Sequence, residues 1–447
     1  MNTEDTIFAL ASGKGRAGIA VIRLSGLAAG AALKSLVNDN FPMPRQAKRT
    51  SLINSQGDVL DDGIVLWFPA PASFTGEDVV ELHVHGGTAV INALLAALST
   101  LPGLRAAEPG EFSRRAFENG KMDLTAAEGL ADLIEAETEA QRKQARRQSR
   151  GELGCLYDSW RESLIRAQAL SEADIDFSDE DIPDDLMGEA RSIAAQMEKE
   201  ITLHLDDAHR GERLRAGLYL AIIGPPNAVK SSLLNRLAKR DAAIVSDIAG
   251  TTRDVIDVHL DLGGYPVIAA DTAGLREAGD SIETEGVRRA RERAEDADMT
   301  LAVFDAGDLQ ASSGLDPLTL ELIDSNTLVI LNKCDKPHDI LPDQVKNRPV
   351  LVLSAKTGKG FDALLVALQA LASKLLAGDT GPSLTRHRHR DALKGCYGAL
   401  KRAIVAEEAE LMGEDLRLAA RALGQITGRV DVEDLLDVIF SKFCIGK

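Results

Sequence analysis

The 447-residue chain reads as a multidomain protein: a small α+β domain, an α-helical domain, and a doubly wound, mostly parallel α/β domain inserted into the helical one. Three observations predict this. Between residues 216 and 378, strand-like and helix-like segments alternate, as they do where helical crossovers join parallel strands. On both sides of that stretch, at 119–215 and 379–447, charged residues and Leu or Ala recur at three- and four-residue spacing with few β-branched runs, the mark of amphipathic helices. Residues 1–118 instead mix short β-type runs with Gly/Pro turns.

In order along the chain, 18–24 and 79–84 are strand-like and 89–98 is helical. The helical text from 119 to 215 is interrupted by an acidic loop at 178–185. The α/β part then predicts strands at 218–224, 255–262, 267–271, 301–305, 328–332 and 350–354, with helices from Ser231, through 288–295 and from Phe361. After 378–382 the sequence is helical again to Cys444.

Hydrophobic residues make up 45% of the chain and charged residues 27%, ample for large cores at a length that accommodates about three domains. Aromatics contribute 4%, so Leu, Ile, Val and Ala are expected to build those cores. A net charge of −18 excludes a broad basic nucleic-acid footprint, and any RNA contact has to use a local patch. The run Arg386-His387-Arg388-His389-Arg390 is one such patch, although a solvated helix start is the plainer reading. No signal pattern opens the chain and no run of 18 apolar residues predicts a membrane span. Cys155, Cys334, Cys396 and Cys444 are scattered without a Cys-x-x-Cys pair, so a zinc knuckle and a disulfide framework are both unexpected and a cytoplasmic setting is expected.

Residues 224–231 read Gly-Pro-Pro-Asn-Ala-Val-Lys-Ser, a phosphate-binding loop except that Val229 stands at the second glycine. Lys230 suits the β- and γ-phosphates and Ser231 suits Mg²⁺, while the backbone N–H groups of Asn227, Ala228, Val229, Lys230, Ser231 and Ser232 face the phosphates at a helix N-terminus. Gly250-Thr251-Thr252-Arg253-Asp254 lies in the loop after that helix, where the Thr252 hydroxyl completes the Mg²⁺ shell. In Asp271-Thr272-Ala273-Gly274 the aspartate holds Mg²⁺ through water and the glycine lets the backbone approach the γ-phosphate. In Asn332-Lys333-Cys334-Asp335 the carboxylate accepts two hydrogen bonds from the guanine N1–H and N2–H₂ edge, which adenine lacks. Ser354-Ala355-Lys356 closes over the base. Any one fragment alone is an ordinary turn or solvated loop. Five in this order, gathered at one sheet edge, identify a guanine-nucleotide-binding domain of the Ras-like type.

Leu275 follows the Asp271–Gly274 segment, where many such domains place a water-orienting glutamine nearby. Leucine cannot orient water, so the hydrolytic stimulus has to come from elsewhere. Glu277, Glu283 and Glu285 follow, and most exposed helix carboxylates are simply solvated.

Over its whole length the sequence resembles the MnmE (TrmE) family of tRNA-modification GTPases. The resemblance is carried by Val21-Ile-Arg-Leu-Ser-Gly26, Ser73-Phe-Thr-Gly-Glu-Asp78, His85-Gly-Gly87, Pro109-Gly-Glu-Phe-Ser113, Ser246-Asp-Ile-Ala-Gly-Thr-Thr-Arg-Asp254, Asp271-Thr-Ala-Gly-Leu-Arg-Glu277 and the terminal Phe443-Cys-Ile-Gly-Lys447. It implies that residues 1–118 are a folate-binding-like domain that mediates homodimerisation. That domain takes a one-carbon tetrahydrofolate, 5-formyl or 5,10-methylene, at Arg23, Glu81, Lys121 and Lys447. It also adds Ser246, Asp247, Ile248, Ala249 and Gly250 to the nucleotide site. The resemblance also implies that the inserted nucleotide domains of two subunits meet in the triphosphate state and that a potassium ion, held by Asn227, the backbone of Ser246 and Ile248, and Thr251, takes the place of an arginine finger, with Glu283 at the catalytic glutamate position. An FAD-dependent partner, MnmG (GidA), is implied in a heterotetramer that modifies C5 of the tRNA wobble uridine. Cys444 matches the family's terminal cysteine and reads either as a nucleophile toward the uracil ring or as a structural thiol.

Val229 departs from the family. A β-branched residue at a position requiring φ > 0 is strained by roughly 1–3 kcal/mol if the loop keeps its shape, about a 5- to 150-fold loss in nucleotide affinity. The loop could instead flatten or refold, or relax and accommodate the valine with little loss. The competing functions are a GTP-dependent ribosome-assembly switch, which shares the nucleotide motifs but not the terminal Cys-Ile-Gly-Lys, and a nucleotide-blind scaffold for folate and partner.

Overall fold

The computed structural model describes residues 5–37, 40–176, 185–225, 228–239, 257–270, 288, 291–310, 315–337, 341–377, 381–430 and 433–446. The expectations at Asn227, at 246–252, at 271–274, at Glu283 and at Lys447 lie outside the described residues. The chain divides into two compact units: Met1–Ala131 with Gln148–Ala194 and Gly398–Lys447, and Asp132–Arg147 with Ala195–Tyr397.

The first unit contains a six-stranded sheet built from β1 (Thr6–Leu10), β2 (Ala17–Ser25), β3 (Lys48–Ile53), β4 (Val59–Phe68), β5 (Val79–Gly86) and β6 (Leu104–Ala106), in the order β3-β4-β5-β2-β1-β6. All pairings are antiparallel except β1 with β6. Period-two alternation sorts the side chains. Ile22, Leu24, Val80 and Leu82 join the core under the helices Ala29–Leu36 and Thr88–Ser99. Arg23, Ser25, Glu81 and His83 therefore fall on the opposite face, where Ile7 and Ala9 pack with Phe112 and Phe74.

The long helix Glu152–Asp176 buries Leu153, Tyr157, Trp160, Leu164, Ala167 and Ser171. Ala409–Thr427 buries Ala409, Met412, Leu416, Ala419, Leu423 and Ile426 at the same three/four spacing. The two stripes pack together, and the Ser171 hydroxyl donates to the Ala409 carbonyl at 2.7 Å. Helical segments on both sides of the α/β part thus form one body.

In the second unit, β7 (Leu218–Ile223), β8 (Asp257–Leu262), β9 (Tyr265–Ala270), β10 (Met299–Asp305), β11 (Thr327–Asn332), β12 (Gln344–Val345) and β13 (Arg348–Val352) form a sheet ordered β12-β13-β11-β10-β7-β9-β8. The five central strands are parallel, and β8 and β12 are antiparallel edges. Helices Lys230–Ala238 and Phe361–Leu376 bury Leu233, Leu237, Leu364 and Leu368 on one face, and a second core around Phe304 and Leu331 fills the other. This is the doubly wound sheet the alternation predicts. The strand after β7 in sequence lies on one side of it and β10 on the other, so the chain reverses direction across the sheet at the end of β7. Among the described residues no helix is long and apolar enough to cross a membrane.

The run Arg386–Arg390 corrects both readings of it. His389 and Arg390 are 0% and 3% exposed. Arg390 pairs with Asp207 at 2.6 Å and Glu212 at 3.2 Å, and Arg386 joins Arg215 on Asp132, each at 2.8 Å. Helical spacing turns Arg386, His389 and Arg390 inward together, so the run is largely an internal ionic hub. Only His387 is well exposed, at 79%, and it pairs with Asp391.

Candidate functional site

The first site lies at the carboxyl ends of the parallel strands, beside the reversal at β7. Gly224 closes β7 with φ 150°, and a Cβ there would meet the Val303 carbonyl oxygen at 2.2 Å, so only glycine lets the chain leave the sheet at this point. Val229 is the N-cap of the helix Lys230–Ala238, with φ 66° and ψ 37°. Val229 itself therefore stands in the left-handed turn, and the valine carries the strain there. Ala228, Val229, Lys230, Ser231 and Ser232 form the loop's end and the first helical turn, where the helix dipole favours an anion. The Lys230 ammonium reaches across the loop to the carbonyls of Gly224 at 2.8 Å and Pro225 at 3.0 Å.

Asn332, at the end of β11, ties three segments together. It is 1% exposed. Its amide donates to the Ala228 carbonyl at 3.0 Å, and its Oδ1 accepts from Lys333 N–H at 2.8 Å and Ala355 N–H at 2.9 Å. The phosphate loop and both base-side segments are thereby held in one register. Lys333, at φ 68°, sends its ammonium to Asp305 at the end of β10, 2.5 Å away. Ser354 donates to Asp335 at 2.6 Å, which holds that carboxyl below its usual range and orients it as an acceptor. Arg236, from the helix after the phosphate loop, donates to the carbonyls of Ala355 at 2.8 Å and Lys356 at 3.1 Å. A cradle of N–H groups, a cation and an ionised acceptor thus stand at one sheet edge, as a guanine nucleotide requires. Asp305 and Arg236 were not foreseen; a strand-end aspartate in the alternating pattern was the available signal for the first.

The second site lies on the face of the six-stranded sheet opposite the helices Ala29–Leu36 and Thr88–Ser99. Register places Arg23 opposite Glu81 across β2 and β5. Arg23 Nε and Nη2 both donate to Glu81 Oε1, at 3.1 and 2.9 Å, while His83 Nε2 lies 3.1 Å from Oε2. Burial raises the Glu81 carboxyl, but the His83 hydrogen bond and the Arg23 charge outweigh it and hold it below its ordinary value. The Arg23 guanidinium faces the rings of Phe74 at 5.5 Å and Phe112 at 5.9 Å. Lys121 donates to the Pro71 carbonyl at 2.8 Å, and its stem packs against Gly76, so it touches the loop that carries Phe74.

The terminal motif reaches the same unit face through the backbone. Gly110 N–H donates to the Cys444 carbonyl at 3.4 Å and Pro109 bridges Ile445. Gly446, at φ 95°, lies so close to Leu10 that a Cβ would meet its carbonyl oxygen at 2.2 Å. Leu10 pairs with Ile22, the neighbour of Arg23. The Cys444 residue is exposed. An ion-paired carboxylate, a guanidinium and the partly exposed Phe74 ring, with Phe112 buried behind them, are a donor–acceptor set suited to a flat heterocycle bearing carboxylates. His83, Phe74 and Phe112 had no assigned role in the sequence; strand alternation across β2 and β5 would have located the histidine.

Two family descriptions match the chain: MnmE helical domain over residues 124–444 and GTP-binding protein TrmE N-terminus over residues 6–121. Curated relatives named tRNA modification GTPase MnmE include that of Paramagnetospirillum magneticum, 59% identical over 99% of this chain and 100% of its own. The Parvibaculum lavamentivorans protein is 56% identical over 99% and 100% of the two chains, and that of Rhodospirillum rubrum 54% identical over 100% of both.

Proposed function

The chain belongs to the MnmE family, and on that footing we propose that it hydrolyses GTP to drive modification of C5 of the tRNA wobble uridine. The observation that carries the nucleotide reading is Asn332, which holds Ala228, Lys333 and Ala355 in one hydrogen-bonded junction. In this reading Lys230 neutralises phosphate charge, Ser231 and Thr252 offer hydroxyls to Mg²⁺, and Asp335 selects guanine. Asn227, Ser246, Ile248 and Thr251 form the proposed potassium site, and Glu283 orients the attacking water. When bound, the two cations supply positive charge against the developing phosphoryl charge, and the folate supplies the one-carbon unit.

In the N-terminal domain Arg23, Glu81, Lys121 and Lys447 hold the tetrahydrofolate, and Cys444 is the thiol available to the uracil ring. The working division is 1–118 for this domain, 119–215 and 379–447 for the helical domain, and 216–378 for the nucleotide domain. The active assembly is a homodimer joined by FAD-dependent MnmG in a cytoplasmic heterotetramer. The left-handed turn at Val229 keeps a geometry that phosphate can use, while the strain it puts on the valine weakens nucleotide binding without abolishing it.

Two measurements test this. GTP hydrolysis by the purified chain should be faster in potassium than in sodium buffer. Mass spectrometry of tRNA from cells lacking the protein should show unmodified wobble uridine, restored by this chain. Normal wobble uridine in those cells would remove the proposal, and restoration by a chain with Lys230→Ala would remove the part assigned to GTP.

A further inference from the structure

Near the Arg23–Glu81 pair runs a chain of largely buried charges whose members are not among the residues named for the ligand. Arg115 is 5% exposed and Glu111 is 2% exposed. Arg105 pairs with Glu111 at 2.5 Å, Glu111 with Arg115 at 3.1 Å, and Arg115 with both carboxylate oxygens of Glu77 at 3.2 Å. Arg115 also donates to the Asp5 carbonyl at 2.8 Å. Glu77 continues the chain, its Oε2 accepting from the Ser25 hydroxyl at 2.6 Å. Ser25 in turn lies 2.6 Å from the Thr75 hydroxyl, and Asn119 donates to the Thr75 carbonyl at 2.8 Å. Both hydroxyl residues are fully buried.

The network ends at residues on either side of the ligand face. Ser25 is two positions from Arg23 on the same side of β2. Thr75 follows Phe74, whose ring faces the Arg23 guanidinium at 5.5 Å. Buried ion pairs gain little net stability over apolar residues of equal volume, whereas each one holds its partners to a narrow geometry. Here the geometry held is the spacing between the Phe74 ring and the Arg23–Glu81 pair.

We propose that Arg115, acting through Glu77, is a positioning residue of the N-terminal ligand site, fixing Phe74 as the aromatic wall against which the ring system of the ligand lies. This rests on the folate reading of that site. Phe74 touches the ligand and Arg115 does not.

Titration calorimetry of the full chain with 5-formyl-tetrahydrofolate tests it. Phe74→Leu and Arg115→Met should each lose roughly 10- to 100-fold in affinity. The double variant should lose little more than the larger single loss, because both remove the same contact. A merely structural Arg115 would give losses that multiply, and that result overturns the proposal. If Arg115→Met does not fold, Glu77→Gln keeps the side-chain volume and an acceptor for Ser25. It should lose affinity with GTP binding unchanged and the melting temperature within a few degrees, and Glu77→Gln binding as tightly as the parent is likewise contrary. If the unaltered chain does not bind 5-formyl-tetrahydrofolate, the reading of the site itself falls and this inference with it.

Discussion

Val229→Gly is the most informative single change. The valine sits at φ 66° and ψ 37°. That left-handed conformation disfavours a residue with a Cβ by roughly 1–2 kcal/mol, with β-branched residues at the upper end. Glycine removes the strain but adds freedom to the unfolded chain worth about 0.5–1 kcal/mol. The net gain in folding stability is therefore expected to be at most about 1.5 kcal/mol. Whatever strain the loop sheds when phosphate is not bound returns as a binding penalty. If all of it returns, GTP and GDP bind about 5- to 30-fold more tightly to the glycine variant. Calorimetric titration together with thermal denaturation, each with and without nucleotide, apportions the strain between folding and binding. Val229→Ala removes the branching but keeps the Cβ and should fall between the two. Equal melting temperatures and nucleotide affinities equal within about a factor of two across the three chains would refute the reasoning.

Asn332→Ala removes the donor to Ala228 and the acceptor of two N–H groups in a site 1% exposed. A loss of roughly 1–3 kcal/mol is expected for each group left unsatisfied, with nucleotide affinity falling at least tenfold, read by chemical denaturation and titration. Burial pushes the His204 imidazole down to about 4, the Asp207 carboxylate opposing and Arg390 and His389 adding to the effect. The unfolded histidine titrates near 6.5, so the unfolded chain binds the extra proton between the two values. This contribution is whole above about pH 6.5 and is lost as pH falls toward 4, by roughly 3 kcal/mol at the limit. Urea midpoints from neutral to acid pH should fall more shallowly in His204→Gln than in the parent. Gly446→Ala places a methyl 2.2 Å from the Leu10 carbonyl oxygen at a backbone φ of 95°. It should dislodge the terminal tetrapeptide and weaken folate binding while leaving GTP affinity intact, and unchanged folate titration would count against a role for that motif.

Of the nucleotide motifs, those at 228–232, 332–335 and 354–356 lie within the described residues and meet at one sheet edge, and they were readable because their parts are local. Each fragment, such as Asn332–Asp335, carries its own chemistry, and strand alternation alone brings the fragments to one edge. The N-terminal site was legible only in part. Arg23, Glu81 and Lys121 stood out by resemblance, but Lys121 turns out to hold the Pro71 carbonyl, and His83, Phe74 and Arg115 went unnoticed. Their partners are far away in sequence, and no local pattern marks a phenylalanine as a wall rather than core. The Arg386–Arg390 run misled for the same reason. A string of cations reads as solvated until the carboxylates of Asp132, Asp207 and Glu212 are placed against it.

By itself the sequence determined the element types, the inserted α/β architecture, the family and the guanine-nucleotide motifs, because periodicity and short-range chemistry are written residue by residue. Only the tertiary structure decided that Val229 keeps a left-handed turn, that Asn332 joins three loops, and that a largely buried ionic chain from Arg105 to Glu77 runs near the Arg23–Glu81 pair. Backbone dihedrals and long-range pairings depend on which distant groups the packed chain brings within hydrogen-bonding reach, and no window of sequence contains that information.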